Sequence, residues 1–340
     1  MSSPTIKEIA RRLNVSVSTV SRALQDHPRI GLRTKTRVKE LARELNYEPN
    51  RQAIFFKQKK TYIIGVVLPF IGEEFFSQAI TGMEAAATEN HYTILFGQSF
   101  DDPEREKTVV EAMRKQRVDG LIISLAKLTF KYDHFRDLEQ SGMTIVYFDR
   151  VPPFDHANKV YCNLFEGTVD LVNWLINRGC KRIALINGPD KLPASKERLS
   201  GYIEGMSRKK IKVDMQFVET TDLSKEGTVQ VVKKLLALKQ PPNAIISFND
   251  YVHMDAVQYA SRQSIKVNED IVFVSYANLS ITAYTTYPPL ASVEQFPKRQ
   301  GQKALEIMVR ILSEKKGENN ASLYYSEELR PKLIIYEQAR

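Results

Sequence analysis

The stretch VSVSTVSRAL, residues 15–24, decides how the first part of the chain is read. Its first six residues alternate apolar and hydroxyl side chains, the period of a half-buried strand. Arg22, Ala23 and Leu24 then continue it in a way that suits a helix. Ser16 is a good N-cap, and Val20 and Leu24 stand at i and i+4 on one inward face. The segment is therefore read as a helix, and its alternation as accidental. Val17, Ser18, Ser21 and Arg22 fall outside the inward pair and are free to touch something else.

The flanking residues supply two more helices. Thr5 and Glu8 form a T-x-x-E capping box before a helix with Ile6, Ile9, Ala10 and Leu13 on one face. Asn14-Val15 makes a very short break. A third helix runs from about Leu32 to Asn46, with Val38, Leu41, Ala42 and Leu45 as its stripe. Two short helices joined by a tight turn and braced by a third form a helix-turn-helix, whose second helix enters the DNA major groove. Hydroxyls there reach phosphates or bases, Val17 suits a thymine methyl, and Arg22 addresses guanine or phosphate. A three-helix docking domain without nucleic acid is the alternative. Charge separates the two. Residues 1–60 hold 14 Lys and Arg against 5 Asp and Glu, whereas residues 61–340 hold 35 against 35. A compact basic unit on a neutral body points to a polyanionic partner.

The 340 residues are enough for two or three domains, and 43% hydrophobic with 26% charged residues is the balance of a soluble globular chain. No apolar run approaches the roughly 18 residues of a membrane span. MSSPTIKEIARRL lacks the apolar core of a secretory signal. Cys162 and Cys180 offer no disulfide framework, and neither they nor the five histidines show metal spacing. A cytoplasmic protein with no membrane partner, metal or cofactor is expected. Enzymes fare poorly: there is no G-x-G-x-x-G after the first strand, no phosphate-binding G-x-x-x-x-G-K-[ST] and no G-x-S-x-G elbow.

From Tyr62 onward strands and helices alternate. Strands are expected at Ile63–Leu68, Tyr92–Phe96, Gly120–Ile123, Thr144–Phe148, Ile183–Ile186, Ala244–Phe248, Ile271–Ser275 and, last, Leu333–Tyr336. Amphipathic segments such as Phe75–Asn90, Pro103–Gln116, Leu164–Arg178, Glu226–Leu238 and Met254–Arg262 lie between most of them. Continuous apolar strands separated by helices imply parallel sheets covered on both faces, and their number implies two doubly wound units facing each other. Ligands bind such folds at the carboxyl ends of strands. Those ends hold Pro69-Phe70, Gln98, Ser124, Asp149-Arg150, Asn187-Gly188, Asn249-Asp250 and Tyr276-Ala277-Asn278. Singly each is as well explained as a cap or turn residue, and Asn249 or Asp250 as the cap of the next helix. Together they suit a small polar ligand rich in hydroxyls.

The first 53 residues resemble the headpiece of the lac-repressor (LacI/GalR) family of bacterial regulators. The likeness rests on T-x-x-x-I-A from Thr5, V-S-x-x-T-V-S-R from Val15 to Arg22 and L-N-Y-x-P-N from Leu45 to Asn50. It implies that Val17, Ser18 and Arg22 choose the operator sequence, with Thr5, Ser16, Thr19, Ser21, Thr34, Tyr47, Asn50 and Ala53 as further DNA contacts. NRQAIFFKQKK, residues 50–60, is by composition a basic linker with an apolar pair, Phe55-Phe56, which suits packing against a neighbouring domain. The resemblance implies instead a hinge helix whose Phe56, where the family usually has leucine, wedges into the minor groove.

The body is similar to the family's effector core, itself like periplasmic sugar-binding proteins. The matching pieces are I-G-V at Ile64–Val66, F-F at Phe75-Phe76, D-G-L-I-I at Asp119–Ile123, D-R at Asp149-Arg150 and G-x-x-R-I-A-x-[IL]-x-G-P at Gly179–Pro189. R-x-x-G at Arg198–Gly201, N-D at Asn249-Asp250 and P-P-L-x-S-V-x-Q at Pro288–Gln295 complete them. It implies an effector pocket with Phe76, Asp149, Arg198, Asn249 and Gln295, extended here to Ser124, Arg150, Asp250 and Asn278. Where family members often carry aspartate this chain has Ala277, with Asn278 next door as substitute. Arg198 with Arg150 would tolerate an acidic ligand.

The expected protein is an α/β core of two doubly wound parallel-sheet subdomains, periplasmic-binding-protein-like, behind an N-terminal all-α helix-turn-helix domain. The expected bounds are 1–49 for the headpiece, 50–60 for the hinge and 61–340 for the core. Within the core the first subdomain takes about 61–160 plus 292–320, and the second about 161–291 plus 321–340. The expected function is a non-enzymatic, homodimeric transcriptional regulator, a repressor, of double-stranded operator DNA under a small polar effector, a sugar or sugar derivative. No heptad-patterned tail suggests a higher oligomer. The other reading is a cytoplasmic small-molecule-binding protein without regulatory DNA binding.

Overall fold

The computed structural model describes residues 4–47, 60–314 and 324–336. The chain divides into two compact units, Met1–Thr61 and Tyr62–Arg340.

The first unit consists of α1 (Ile6–Leu13), α2 (Val17–Leu24) and α3 (Leu32–Glu44). Asn14 ends α1 in the left-handed conformation (φ 53°), its N–H donating to the carbonyls of Ala10 and Arg11, and this compresses the turn. Ser16 Oγ then accepts from Thr19 N at 3.1 Å and starts α2. Ile9, Val20, Ala23 and Val38 are fully buried, with Ala10 and Ala42 nearly so. The inward partner of Val20 is Ala23, while Leu24 is only partly buried, because the small alanine lets the helices approach. The capping box closes on one side only. Thr5 Oγ1 accepts from Glu8 N at 3.3 Å, but the Glu8 carboxylate turns to Arg12 at 2.7 Å, since a guanidinium one turn on is the stronger donor.

The second unit holds two six-stranded sheets. The first contains β1 (Ile63–Leu68), β2 (Thr93–Gln98), β3 (Gly120–Ile123), β4 (Thr144–Phe148), β5 (Asn158–Cys162) and, from the far end of the chain, β11 (Ser326–Leu329). Its order is β11-β5-β4-β3-β1-β2, and each pair is parallel. The second contains β6 (Ile183–Asn187), β7 (Val218–Thr220), β8 (Ala244–Ser247), β9 (Val272–Tyr276), β10 (Ala291–Glu294) and β12 (Lys332–Ile335). Its order is β12-β10-β9-β8-β6-β7, with only β12 antiparallel. Helices α4 (Glu74–Glu89), α5 (Pro103–Lys115) and α6 (Asp133–Gln140) connect the strands of the first lobe. Helices α7 (Leu164–Asn177), α8 (Pro193–Arg208), α9 (Lys225–Leu236) and α10 (Asp250–Arg262) do so in the second. The last helix, α11 (Pro297–Ser313), returns to the first lobe and puts Ala304, Leu305 and Met308 into the cluster that holds Ala79 and Met83 of α4.

Strands β5, β7, β10 and β11 were not expected from pattern. NKVYC, VET, ASVE and SEEL are short and half polar, and they become strands because a paired neighbour supplies the ladder. The lobe bounds shift accordingly. Residues 292–294, expected in the first lobe, pair with β9 and β12, and 326–329, expected in the second, pair with β5. The chain therefore crosses between lobes after β5, after β10 and between β11 and β12. Among the described residues no helix is long and apolar enough to cross a membrane, and no group of three His, Cys, Asp or Glu could hold a metal.

Candidate functional site

In the headpiece, one face of α2 is left free. Ser16, Val17, Ser18 and Arg22 are exposed, Val17 at 41%. Ser16 Oγ lies 2.8 Å from both Ser18 Oγ and Thr19 Oγ1, which holds three hydroxyls together at the helix N-terminus, where the dipole favours a phosphate. Among the described residues no carboxylate pairs with Arg22. Thr5 is an exposed cap, and Thr19, Ser21, Thr34 and Tyr47 are half-buried, Tyr47 against the headpiece core. Asn50, Ala53 and Phe56 lie outside the described residues.

In the second unit a cleft opens between the lobes. Of the nine expected residues, Phe76, Asp149, Arg150, Arg198, Asn249 and Gln295 line it. Arg198 anchors it. Its guanidinium carbon sits 4.0 Å from the Phe248 ring centre and 4.4 Å from that of Tyr276. The residue is 3% exposed, Nη1 donates to the Ala194 carbonyl at 3.3 Å, and Nε has no acceptor among the described residues. Burial draws the Arg198 pKa down, opposed by Tyr276, Glu197 and Asp149. Burial likewise pushes the Asp149 carboxyl up, with Arg150 and Arg198 pulling it back. Asn249 serves twice, since it lines the cleft while its Oδ1 accepts from Val252 N at 2.9 Å and caps α10.

Three expected residues stand outside the lining, each consumed by the protein. Ser124 Oγ donates to Asp149 Oδ2 at 3.3 Å. Asp250 accepts from Ser275 Oγ and from Leu279 N at 2.7 Å, and burial pushes its carboxyl up to about 7. Asn278 donates to Glu294 at 2.6 Å and accepts from the Tyr336 hydroxyl, so it is not the free substitute expected beside Ala277. Arg150 is also less free than expected, being ion-paired with Asp101. Glu73, Phe75, Leu192, Phe248 and Tyr251 line the cleft without having been anticipated. Most of them stand at or before helix starts, which a reading of strand ends passes over.

Comparison with known proteins then fits this geometry. A model of the periplasmic binding protein domain matches residues 64–316, and one of bacterial regulatory proteins, lacI family, matches residues 5–50. The HTH-type transcriptional repressor CytR of Escherichia coli (strain K12) is 30% identical over 305 residues, covering 90% of this chain and 89% of that protein. The chain belongs to the lacI family of bacterial regulatory proteins. The HTH-type transcriptional repressor PurR of Vibrio parahaemolyticus is 27% identical over 331 residues, 97% of both chains. The lac repressor dimer bound to operator and the anti-inducer ONPF has the same fold, with a TM-score of 0.83 over 98% of both chains at 22% identity.

This lacI-family member is thus a DNA-binding transcriptional regulator with a small-molecule domain of the periplasmic-binding type. Its Ala277 carries a cost. The residue has φ 95°, a region that disfavours any Cβ and costs about 1–3 kcal/mol. Ala277→Gly should relieve that strain, offset by the greater freedom of glycine in the unfolded chain. The expected net gain is about 1 kcal/mol, read as a higher urea midpoint, and a lower midpoint would show that Ala277 is unstrained.

Proposed function

We propose that this regulator is a repressor that binds a roughly palindromic operator as a homodimer, and that a sugar or sugar derivative in the interlobe cleft sets its operator affinity. The observation that carries the effector half is the buried Arg198 guanidinium, which is stacked on two rings, lines a cleft walled by both lobes, and has no acceptor for its Nε–H among the described residues. A buried donor without an acceptor is costly, and a ligand hydroxyl removes the cost. The lobes meet across the cleft through Glu74, which accepts from Ser280 N at 2.8 Å and Ile281 N at 3.1 Å. Lys127 donates to the Asp222 carbonyl and Lys191 stacks on Phe130. A ligand that prefers this closed arrangement shifts the lobe equilibrium by its differential affinity, and through it the operator affinity. A binding protein without DNA binding fits neither the basic headpiece nor the family match over residues 5–50.

The headpiece reading assigns Val17, Ser18 and Arg22 to the operator. Arg22→Ala should weaken specific binding by about 1–3 kcal/mol in a fluorescence-anisotropy titration, the range for one good base contact. Unchanged affinity would remove Arg22 from the interface. Repeating the titration with and without neutral sugars tests the effector role, and an affinity indifferent to every sugar that binds the protein would overturn it.

A further inference from the structure

We propose that Glu73 is the ligand-selecting carboxylate of the cleft, accepting from the hydroxyls or amine of a neutral or amino sugar and excluding sugar acids and sugar phosphates. The proposal rests on the effector reading above. Four charged residues line the cleft: Glu73, Asp149, Arg150 and Arg198. Arg150 is already neutralised by Asp101. That leaves one guanidinium, Arg198, facing two carboxylates. Glu197, beside Arg198 on α8, adds a further acid, with its carboxylate on Leu164 N. Lys127, the other cation near Glu73, directs its ammonium to the Asp222 carbonyl. The cleft as a whole therefore disfavours an added anion, although two arginines line it.

Glu73 is the member of this set with a carboxylate to spare. It occupies the N-cap position of α4 and makes no cap hydrogen bond. Among the described residues no hydrogen bond or ion pair engages its carboxylate. Burial raises its pKa, with Arg150 opposing and Asp101 and Asp149 reinforcing. Its place is held by the next residue. Glu74 N–H donates to the Tyr251 hydroxyl at 3.1 Å, and the Glu74 carboxylate is clamped on Ser280 and Ile281 of the opposite lobe. Glu73 is thus presented to the cleft on anchored backbone. Ala277, lining the same cleft, offers only a methyl from the second lobe. A ligand hydroxyl can donate to Glu73 while another accepts from the Arg198 guanidinium. A carboxylate or phosphate can do only the second and meets Glu73 and Asp149 as like charges.

The test is a thermal-shift screen of the full chain with hexoses, pentoses and disaccharides, each beside its amino, uronic-acid and phosphate derivatives, followed by calorimetry on the probes that bind. The expected result is stabilisation by neutral or amino members of a set and none by its acids. Glu73→Gln should then lower the neutral-to-acid affinity ratio by about 10- to 100-fold, the worth of a hydrogen bond to a charged group. Acidic probes that bind wild type as tightly as their neutral parents would overturn the proposal. So would a Glu73→Gln loss equal for neutral and acidic probes, which marks a structural role. Silence from every probe of every class would instead overturn the reading of the cleft as a sugar site.

Discussion

Gly82→Ala and Gly301→Ala should each destabilise the second unit by about 2 kcal/mol or more, although both replace glycine by the best helix former. The two glycines lie where α4 and α11 cross. A Cβ on Gly82 would stand 1.9 Å from the Lys298 carbonyl oxygen, and one on Gly301 would stand 2.1 Å from that of Ala79. Helix propensity favours alanine by about 1 kcal/mol. Overpacking a filled core costs about 1–3 kcal/mol when side chains can yield, and more when they cannot. Here the obstructing atoms are backbone, so relief requires the helices to separate, drawing Ala304, Leu305 and Met308 away from Ala79 and Met83. The overlap wins. The two substitutions strain one contact and their effects should not add. Urea melts of the full chain, followed by a probe of the second unit, check this. A neutral or stabilised Gly82→Ala would mean that the helices cross farther apart than described.

Arg198→Met should abolish the ligand response while leaving the fold standing. The guanidinium is buried, holds one protein hydrogen bond and leaves Nε unpaired, so the protein gains little from its charge and bears the desolvation. Methionine keeps an unbranched stem between Phe248 and Tyr276. Melting without ligand should be unchanged or raised. Affinity for any neutral sugar that binds wild type should fall by about 100-fold, the upper value for a hydrogen bond to a charged group, and the ligand-induced melting shift should vanish. A shift of wild-type size would remove Arg198 from the site. Collapse of the unliganded fold would show that the rings need the cation.

The reach of the sequence differs between the two sites. Val17, Ser18 and Arg22 are exposed as read, because a helix of eight residues fixes its own faces by a period of 3.6 and the capping Ser16 sets the phase. In the cleft, six of nine expected residues line the cavity. The other three fail for one reason. Ser124, Asp250 and Asn278 stand at strand ends as expected, but partners 25, 29 and 16 residues away take up their polar atoms. Residue type tells what a side chain can bond, and only the fold tells whether something has already bonded it. Glu73 and Tyr251 carry no local signal, because their places follow from how the lobes meet.

By itself the sequence determined the three-helix headpiece, the location of all the excess positive charge within 60 residues, and two stacks of parallel strands, because caps, periodicity and apolar runs act over a few neighbouring residues. Tertiary structure alone decided that SEEL and VET are strands, and that Arg150 is spent on Asp101 while Arg198 has an open donor among the described residues. Those outcomes depend on which distant backbone pairs with a polar segment and which distant charge reaches a buried one, and no local pattern carries that information.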